Sequence, residues 1–213
     1  MGNFSIRPYY NKMAETIDSP LATRNKSPDF TAFDVSLMKG YSVSSGSILE
    51  IGAGTGLLLN EIMDGYARVV AVEMYPEFSR FIRRDDHVSV YNVDILDFQT
   101  SECFDVVIMF GVANFFSEDE VSRVYKRSLN WLKTGGRLII KHQMGRHEDV
   151  HVSGFSEELQ AEYYSEYRTL EHECALLSSA GYQIERTGPM YPSEFNRWPN
   201  TYFMFIVAQP NNY

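Results

Sequence analysis

Between residues 47 and 94 the chain sets a glycine loop and two carboxylates at the ends of three successive apolar runs. The loop, Gly52-Ala53-Gly54-Thr55-Gly56, directly follows Ser47 to Ile51. Glu73 closes Arg68 to Glu73, and Asp94 follows Val88 to Val93. Glycines allow a tight turn and let backbone approach a ligand closely. A carboxylate at Glu73 can accept hydrogen bonds from both hydroxyls of a ribose, and one at Asp94 can accept from the exocyclic amine of adenine. A phosphate-rich cofactor would gain little from two added acids, whereas an uncharged nucleoside would gain from both. A dinucleotide site needs G-x-G-x-x-G. Here the spacing is G-x-G-x-G, with Leu57 where the third glycine belongs, which disfavours a nicotinamide-dependent oxidoreductase. The competing reading is that both acids merely cap strand ends.

A second chemistry-bearing tract is KHQMGRHEDVH, Lys141 to His151. His142 is the first candidate for a general base, because an imidazole can be neutral near physiological pH and accept a proton. His147 is the substitute. His147 and His151 are four apart, with Glu148 and Asp149 beside them, so a metal pair is conceivable on a helix. A solvated loop is the simpler account, and no metal is expected. Lys141, Arg146, Arg168 and Arg197 supply positive charge that suits an acceptor carrying phosphate or carboxylate; surface solubility is the competing account. Tyr163, Tyr164 and Tyr167, with Phe195 and Trp198, can form a ring or sugar platform or simply pack the late loops. Tyr167 and Arg168 are the expected pocket pair.

These groups must be held by alternating strands and helices. Short helices are expected over Leu57 to Met63 and from Pro76 through Phe81. Phe104 to Phe110 is nearly all apolar, as a central strand covered on both faces would be. Ser117 and Glu120 form a capping box that opens a helix striped by Val121, Val124, Tyr125, Leu129 and Leu132. Gly135-Gly136 stop it before a fifth strand, Arg137 to Lys141. A polar loop is expected from His142 to about Glu157, then a helix over Thr169 to Ser179. Tyr182 to Arg186 and Thr201 to Ala208 are the closing strands. The rhythm implies an open parallel α/β sheet that binds ligands beyond the carboxyl ends of its strands. Tyr9 to Ile17 and Phe30 to Met38 read as helices that either cover that edge as a lid or pack outside the sheet.

Composition narrows the classes. With 213 residues and 44% hydrophobic content the chain can bury a core as one domain and is not a disordered polymer. Its formal charge of −9 argues against a general nucleic-acid binder. Cys103 and Cys174 form no CxxC unit and sit in apolar segments, so buried thiols and a reducing, cytoplasmic location are expected. No apolar run is long enough for a membrane span, and the first residues lack the apolar core of a signal peptide.

The ordered set LEIGAGTG, AVEMYP, NVDILDF, FDVVIMFGVANFF and LKTGGRLIIKHQ resembles the class I S-adenosylmethionine-dependent methyltransferases, closely from about Ser47 to Gln143. The resemblance implies a Rossmann-like, seven-stranded, mostly parallel sheet with helices on both faces and an antiparallel last strand. It implies S-adenosyl-L-methionine as cofactor. Gly52, Ala53, Gly54 and Gly56 would line its methionine end, with Glu50 bracing the loop. Glu73, with Met74 beside it, would hold the ribose, Asp94 the adenine amine, and Ile95 the ring. Phe110 and Gly111 would run beside the methionine portion. Tyr9 or Tyr10 resembles the N-terminal YY of small-molecule members that close over the cofactor.

No NPPY-like tetrapeptide follows the fourth strand, where Phe110-Gly111-Val112-Ala113 stands, and this disfavours the nucleobase and glutamine N-methylating branches. The format is similar to small-molecule enzymes, with a narrower similarity to those of capsule and surface-glycan modification. The implied acceptor is a small molecule, an O-nucleophile on a sugar-, phosphate- or carboxylate-bearing metabolite. An amino sugar or other amine is the alternative, and a catalytically silent regulatory partner is the alternative outside the enzymes. Residues 1–46 would be the lid and 142–168 the acceptor-side insertion of a single domain, acting as monomer or homodimer without nucleic acid or membrane.

Overall fold

A computed structural model describes residues 2–24, 29–157, 160–196 and 198–211. Seven strands form one sheet: β1 (Gly46–Ile51), β2 (Tyr66–Val72), β3 (Val88–Tyr91), β4 (Phe104–Phe110), β5 (Leu132–Gly145), β8 (Tyr182–Pro189) and β9 (Thr201–Pro210). Their order is β3-β2-β1-β4-β5-β9-β8. The first five run parallel, and β9 is antiparallel to both its neighbours. The order reverses between β1 and β4, which opens a crevice at their carboxyl ends.

The helices are α1 (Asn3–Thr16), α2 (Thr31–Lys39), α3 (Leu59–Ile62), α4 (Pro76–Ser79), α5 (Glu118–Ser128) and α6 (Leu170–Ala180). Successive strand residues face opposite sides, so the sheet feeds two cores. Leu49, Ile51, Val107, Met109, Leu138 and Ile140 pack with Val121, Val124, Tyr125 and Leu177 of α5 and α6. Ile48, Val106, Ile108 and Ile139 pack on the other face with Phe30, Met38 and Leu59. Ser117 caps α5 with the expected reciprocal box to Glu120. Thr169 caps α6, and Gly181 ends it at φ 106°, a left-handed conformation that glycine tolerates.

Two expectations are corrected. The segment after Lys141 is not a loop: β5 continues to Gly145 because Lys141 to Gly145 pair residue by residue with Phe205 to Thr201. Beyond it, β6 (Val150–Ser156) and β7 (Ala161–Tyr167) form a separate antiparallel pair. Their alternation of tyrosine with charged residues hides the strand pattern. The pair packs on α1, where Ala161 and Tyr163 meet Ile6, Tyr9 and Met13. Cys103 is exposed rather than buried, and Cys174 is half-buried. No helix of the described residues is long and apolar enough to cross a membrane.

Candidate active site

A cavity of about 390 Å³ runs along the carboxyl edge of β1 to β5, under α1, α2 and β7. At one end stand the glycine loop and the first two acids. Gly52, Gly54 and Gly56 all take positive φ (67°, 54° and 73°). The three are not equivalent. A Cβ at Gly52 would lie 2.3 Å from Val112 and one at Gly56 2.7 Å from Ile82, so packing demands glycine at both. At Gly54 nothing lies within 4 Å. Gly54 therefore keeps open a space at the cavity wall, whereas Gly56, expected beside the ligand, is not among the cavity-lining residues.

Glu73 follows β2 and is buried. Its carboxylate accepts from the Gly54 N–H and the Tyr75 N–H, each at 2.9 Å. Burial pushes its pKa up, and the backbone N–H groups of Tyr75, Gly54 and Met74 oppose that shift. Asp94 accepts from the Leu96 N–H at 2.8 Å through Oδ1. Its Oδ2 receives Arg7 at 2.5 Å and the Asn3 amide at 2.6 Å, both from α1. The N-terminal helix thus touches the acid at the far strand end. Glu50, Ala53, Met74, Ile95, Phe110 and Gly111 also line the cavity.

At the other end, β5 presents consecutive residues to opposite faces. Lys141 projects toward α2, where its Nζ lies 3.0 and 3.1 Å from the Asp34 carboxylate and 2.8 Å from the Tyr191 hydroxyl. His142 projects toward α5 and α6. Its Nε2 stands 3.6 Å from Glu173, and both ring nitrogens are buried with no hydrogen-bond partner among the described residues. Burial alone would push the Glu173 carboxyl up. Arg168 beside it, with His142 and the Tyr125 hydroxyl, outweighs that and holds it far below the usual carboxylate range.

The expected acceptor residues divide accordingly. Lys141, His142 and Tyr167 border the cavity. Arg168 is corrected: it is a buried structural cation, bonding Glu173 at 2.8 Å, Glu166 at 3.1 Å, and the carbonyls of Phe116 and Ala113 at 3.0 and 2.6 Å. Those bonds tie the loop after β4 to β7 and α6. Arg146 bonds the Thr201 carbonyl and stacks over Tyr202, outside the cavity lining. His147 is exposed and also outside it. Arg197 lies outside the described residues. Tyr10 borders the cavity, but Tyr9 packs behind it against Tyr10 and Tyr163. Burial, then Tyr163, Tyr9 and Glu73, hold the Tyr10 phenol far above its ordinary pKa, so it remains protonated. Among the described residues no group of three His, Cys, Asp or Glu side chains is placed to hold a metal ion.

Asn3, Arg7, Asp34, Glu173 and Tyr191 were not anticipated. Two of them carried a signal. Asp34 interrupts the buried stripe of Phe30 and Met38, and Glu173 sits on the α6 stripe with Leu177. An acid on an apolar helix face must have a partner.

Glycine loop, acids and crevice share the carboxyl edge of a Rossmann-like sheet. Residues 48–136 match the family model described as a methyltransferase domain. Over 110 residues the chain is 30% identical to a dTDP-4-amino-2,3,4,6-tetradeoxy-D-glucose N,N-dimethyltransferase of Saccharopolyspora spinosa, spanning 50% of this chain and 44% of that protein. Over 101 residues it is 34% identical to a tRNA1(Val) (adenine(37)-N6)-methyltransferase of Actinobacillus pleuropneumoniae, spanning 43% and 42%. The chain thus spans less than half the length of these curated relatives.

A solved DhpI–SAH complex superposes with a TM-score of 0.75 at 16% identity, covering 99% of this chain and 98% of that one. The Burkholderia thailandensis 1,6-didemethyltoxoflavin-N1-methyltransferase, with bound 1,6-didemethyltoxoflavin and S-adenosylhomocysteine, gives 0.73 at 15% identity, covering 97% and 90%. Residues 48–136 thus match a methyltransferase domain, and nearly the whole chain shares the fold of these solved structures.

Proposed function

We propose that the protein transfers a methyl group from S-adenosylmethionine to an oxygen or nitrogen of a small molecule. The observation that carries this reading is the single cavity joining the ends of β1 to β3 with those of β4 and β5. Its first end fits the nucleoside: open space at Gly54, acceptor oxygens at Glu73 and Asp94, and Ile95 for a ring face. When bound there, S-adenosylmethionine supplies an electrophilic methyl on a sulfonium.

The chain's part is positioning and proton handling. Holding an acceptor in line with the methyl and excluding water removes much of the barrier. The cover formed by α1, α2 and β7 serves the exclusion. His142 takes the proton that the acceptor atom loses as its lone pair bonds to carbon, while the carbon–sulfur pair leaves with sulfur. Glu173, kept ionised by Arg168, faces the ring and stabilises the imidazolium that forms. Tyr10 and Tyr167 orient the acceptor through their hydroxyls. A small acceptor suits a cavity of about 390 Å³, and the dTDP-amino-sugar and didemethyltoxoflavin enzymes named above show the range such a fold serves.

Labelled-methyl transfer from S-adenosylmethionine into the low-molecular-mass fraction of a cell extract tests the activity. His142→Gln is expected to lower single-turnover transfer by about 10²–10⁴-fold with cofactor affinity unchanged in calorimetry. Parent-like transfer across the pH range would remove His142 from the mechanism.

A further inference from the structure

We propose that the acceptor end of the cavity takes an uncharged, flat ring compound with a hydrogen-bond donor and acceptor side by side on one edge, read by Asp34, Lys141 and Tyr191. The inference rests on the reading that the opposite end holds the cofactor. The three residues come from α2, β5 and the segment after β8. All are nearly inaccessible, at 2%, 5% and 6% exposure, and all line the cavity. Lys141 donates to both Asp34 oxygens and to Tyr191, whose hydroxyl donates to Asp34 at 2.9 Å. Within the group the Lys141 and Asp34 charges offset each other.

That balance sets the ligand's charge. An anion drawn to Lys141 would also meet Asp34 at close range. Among the described residues, the cavity is lined by four carboxylates, Asp34, Glu50, Glu73 and Asp94, against two fixed cations, Arg7 and Lys141. The arginines that would have reversed this sum are tied elsewhere or lie outside the described residues. A cationic group near Asp34 would face the Lys141 ammonium. A neutral edge with one donor and one acceptor can bond both without burying an unpaired charge, which is costly beside buried side chains.

Shape gives the rest. Phe30 stacks on Tyr191 with ring centres 4.3 Å apart and planes 24° off parallel. Phe203 lies 5.0 Å from Tyr191, and the Lys141 ammonium sits 4.8 Å over Phe110. Apolar aromatic walls with a few placed polar atoms are the make-up of small-molecule sites. Aromatic walls favour offset or edge contact with another ring.

The test uses matched probes on protein saturated with S-adenosylhomocysteine: 2-quinolone, 2-naphthoate and inorganic phosphate, each titrated by calorimetry. The neutral lactam is expected to bind at least about tenfold more tightly than either anion, the equivalent of one well-made hydrogen bond or avoided charge burial. Tyr191→Phe, which removes one oxygen, should weaken the lactam about fivefold or more while S-adenosylhomocysteine affinity and melting temperature stay near the parent's. Asp34→Asn should weaken it likewise and also lower the melting temperature, because Lys141 then stays buried without its carboxylate. Should Asp34→Asn fail to fold, Tyr191→Phe alone carries the comparison. An anion binding as tightly as the lactam, a lactam that does not bind, or lactam binding indifferent to both substitutions overturns the acceptor assignment. Failure of S-adenosylhomocysteine to bind the parent protein overturns the cofactor reading itself.

Discussion

The two ends of the cavity are assembled from very different amounts of chain. The proposed cofactor end draws its glycines, Glu73 and Asp94 from fewer than fifty consecutive residues, one group per strand end, in the order of the strands. The acceptor end joins Asp34 to Lys141 across 107 residues, and Tyr191 to Asp34 across 157. His142 meets Glu173 from a different element again. Local assembly makes the first end robust to changes in the lids. The second end exists only when α2, α6, β7 and the sheet have all docked. Damage to tertiary packing should therefore destroy acceptor chemistry first, and damage to strand-end groups should strike cofactor binding alone.

The largest effect should come from the buried hub of the second end. Arg168 bonds Glu173, Glu166 and two carbonyls of the loop after β4, so Arg168→Met leaves Glu173 buried without its cation. Breaking a buried pair from one side costs about 3–5 kcal/mol, read from urea unfolding. The same hub predicts acid sensitivity. The Glu173 pKa is lower in the folded chain than in the unfolded one, so its contribution is present above the ordinary carboxylate pKa and is lost as pH falls below it. Urea midpoints for the parent should fall with acid in that range, and less steeply for Glu173→Gln. Equal slopes would show that the hub does not hold the acceptor end together.

Glu73→Gln probes the first end and should separate stability from binding. Burial raises the Glu73 pKa, so its stabilising contribution belongs to the protonated form and is lost as pH rises through the folded value. At neutral pH the neutral glutamine should leave the ligand-free fold unchanged or firmer. Cofactor affinity should nevertheless fall by about 1–3 kcal/mol, because charge-assisted acceptors are lost. Loss of both together would mean that Glu73 serves the loop and not the ligand.

The same contrast explains what the sequence reveals. The parallel strands, the two closing strands and the α5 capping box follow from local patterns: apolar runs, turn glycines and a Ser–Glu box. The extension of β5 through His142 to Gly145 does not, because only pairing with β9 makes that polar tract a strand. Nor do the fates of the arginines. Whether a surface-type cation faces a cavity or is swallowed by a carboxylate on another helix is decided by docking. Arg168 and Glu173 are five residues apart and still give no local sign of their bond. The usable clue was the misplaced acid: Asp34 and Glu173 each interrupt an apolar helix stripe, and each marks a buried partner across the fold.

The smallest effect concerns a contact between the N-terminal segment and the first end. Arg7 and Asn3 of α1 occupy Asp94 Oδ2, the same oxygen available to an adenine amine. If the nucleoside takes that oxygen, the α1 contacts must loosen, and part of the binding free energy is spent on separating Arg7 from Asp94. Arg7 is about one-third exposed, so the pair is partly screened and is worth no more than about 0.2–1 kcal/mol. Arg7→Met should therefore tighten S-adenosylmethionine binding by up to about fivefold, and the gain should shrink as salt rises and screens the pair in the parent. Weaker binding in Arg7→Met would reverse the assignment, making Arg7 part of the closed cofactor site. In that case α1 would belong with the strand ends, and the division between a local cofactor end and a docked acceptor end would have to be redrawn around the lid.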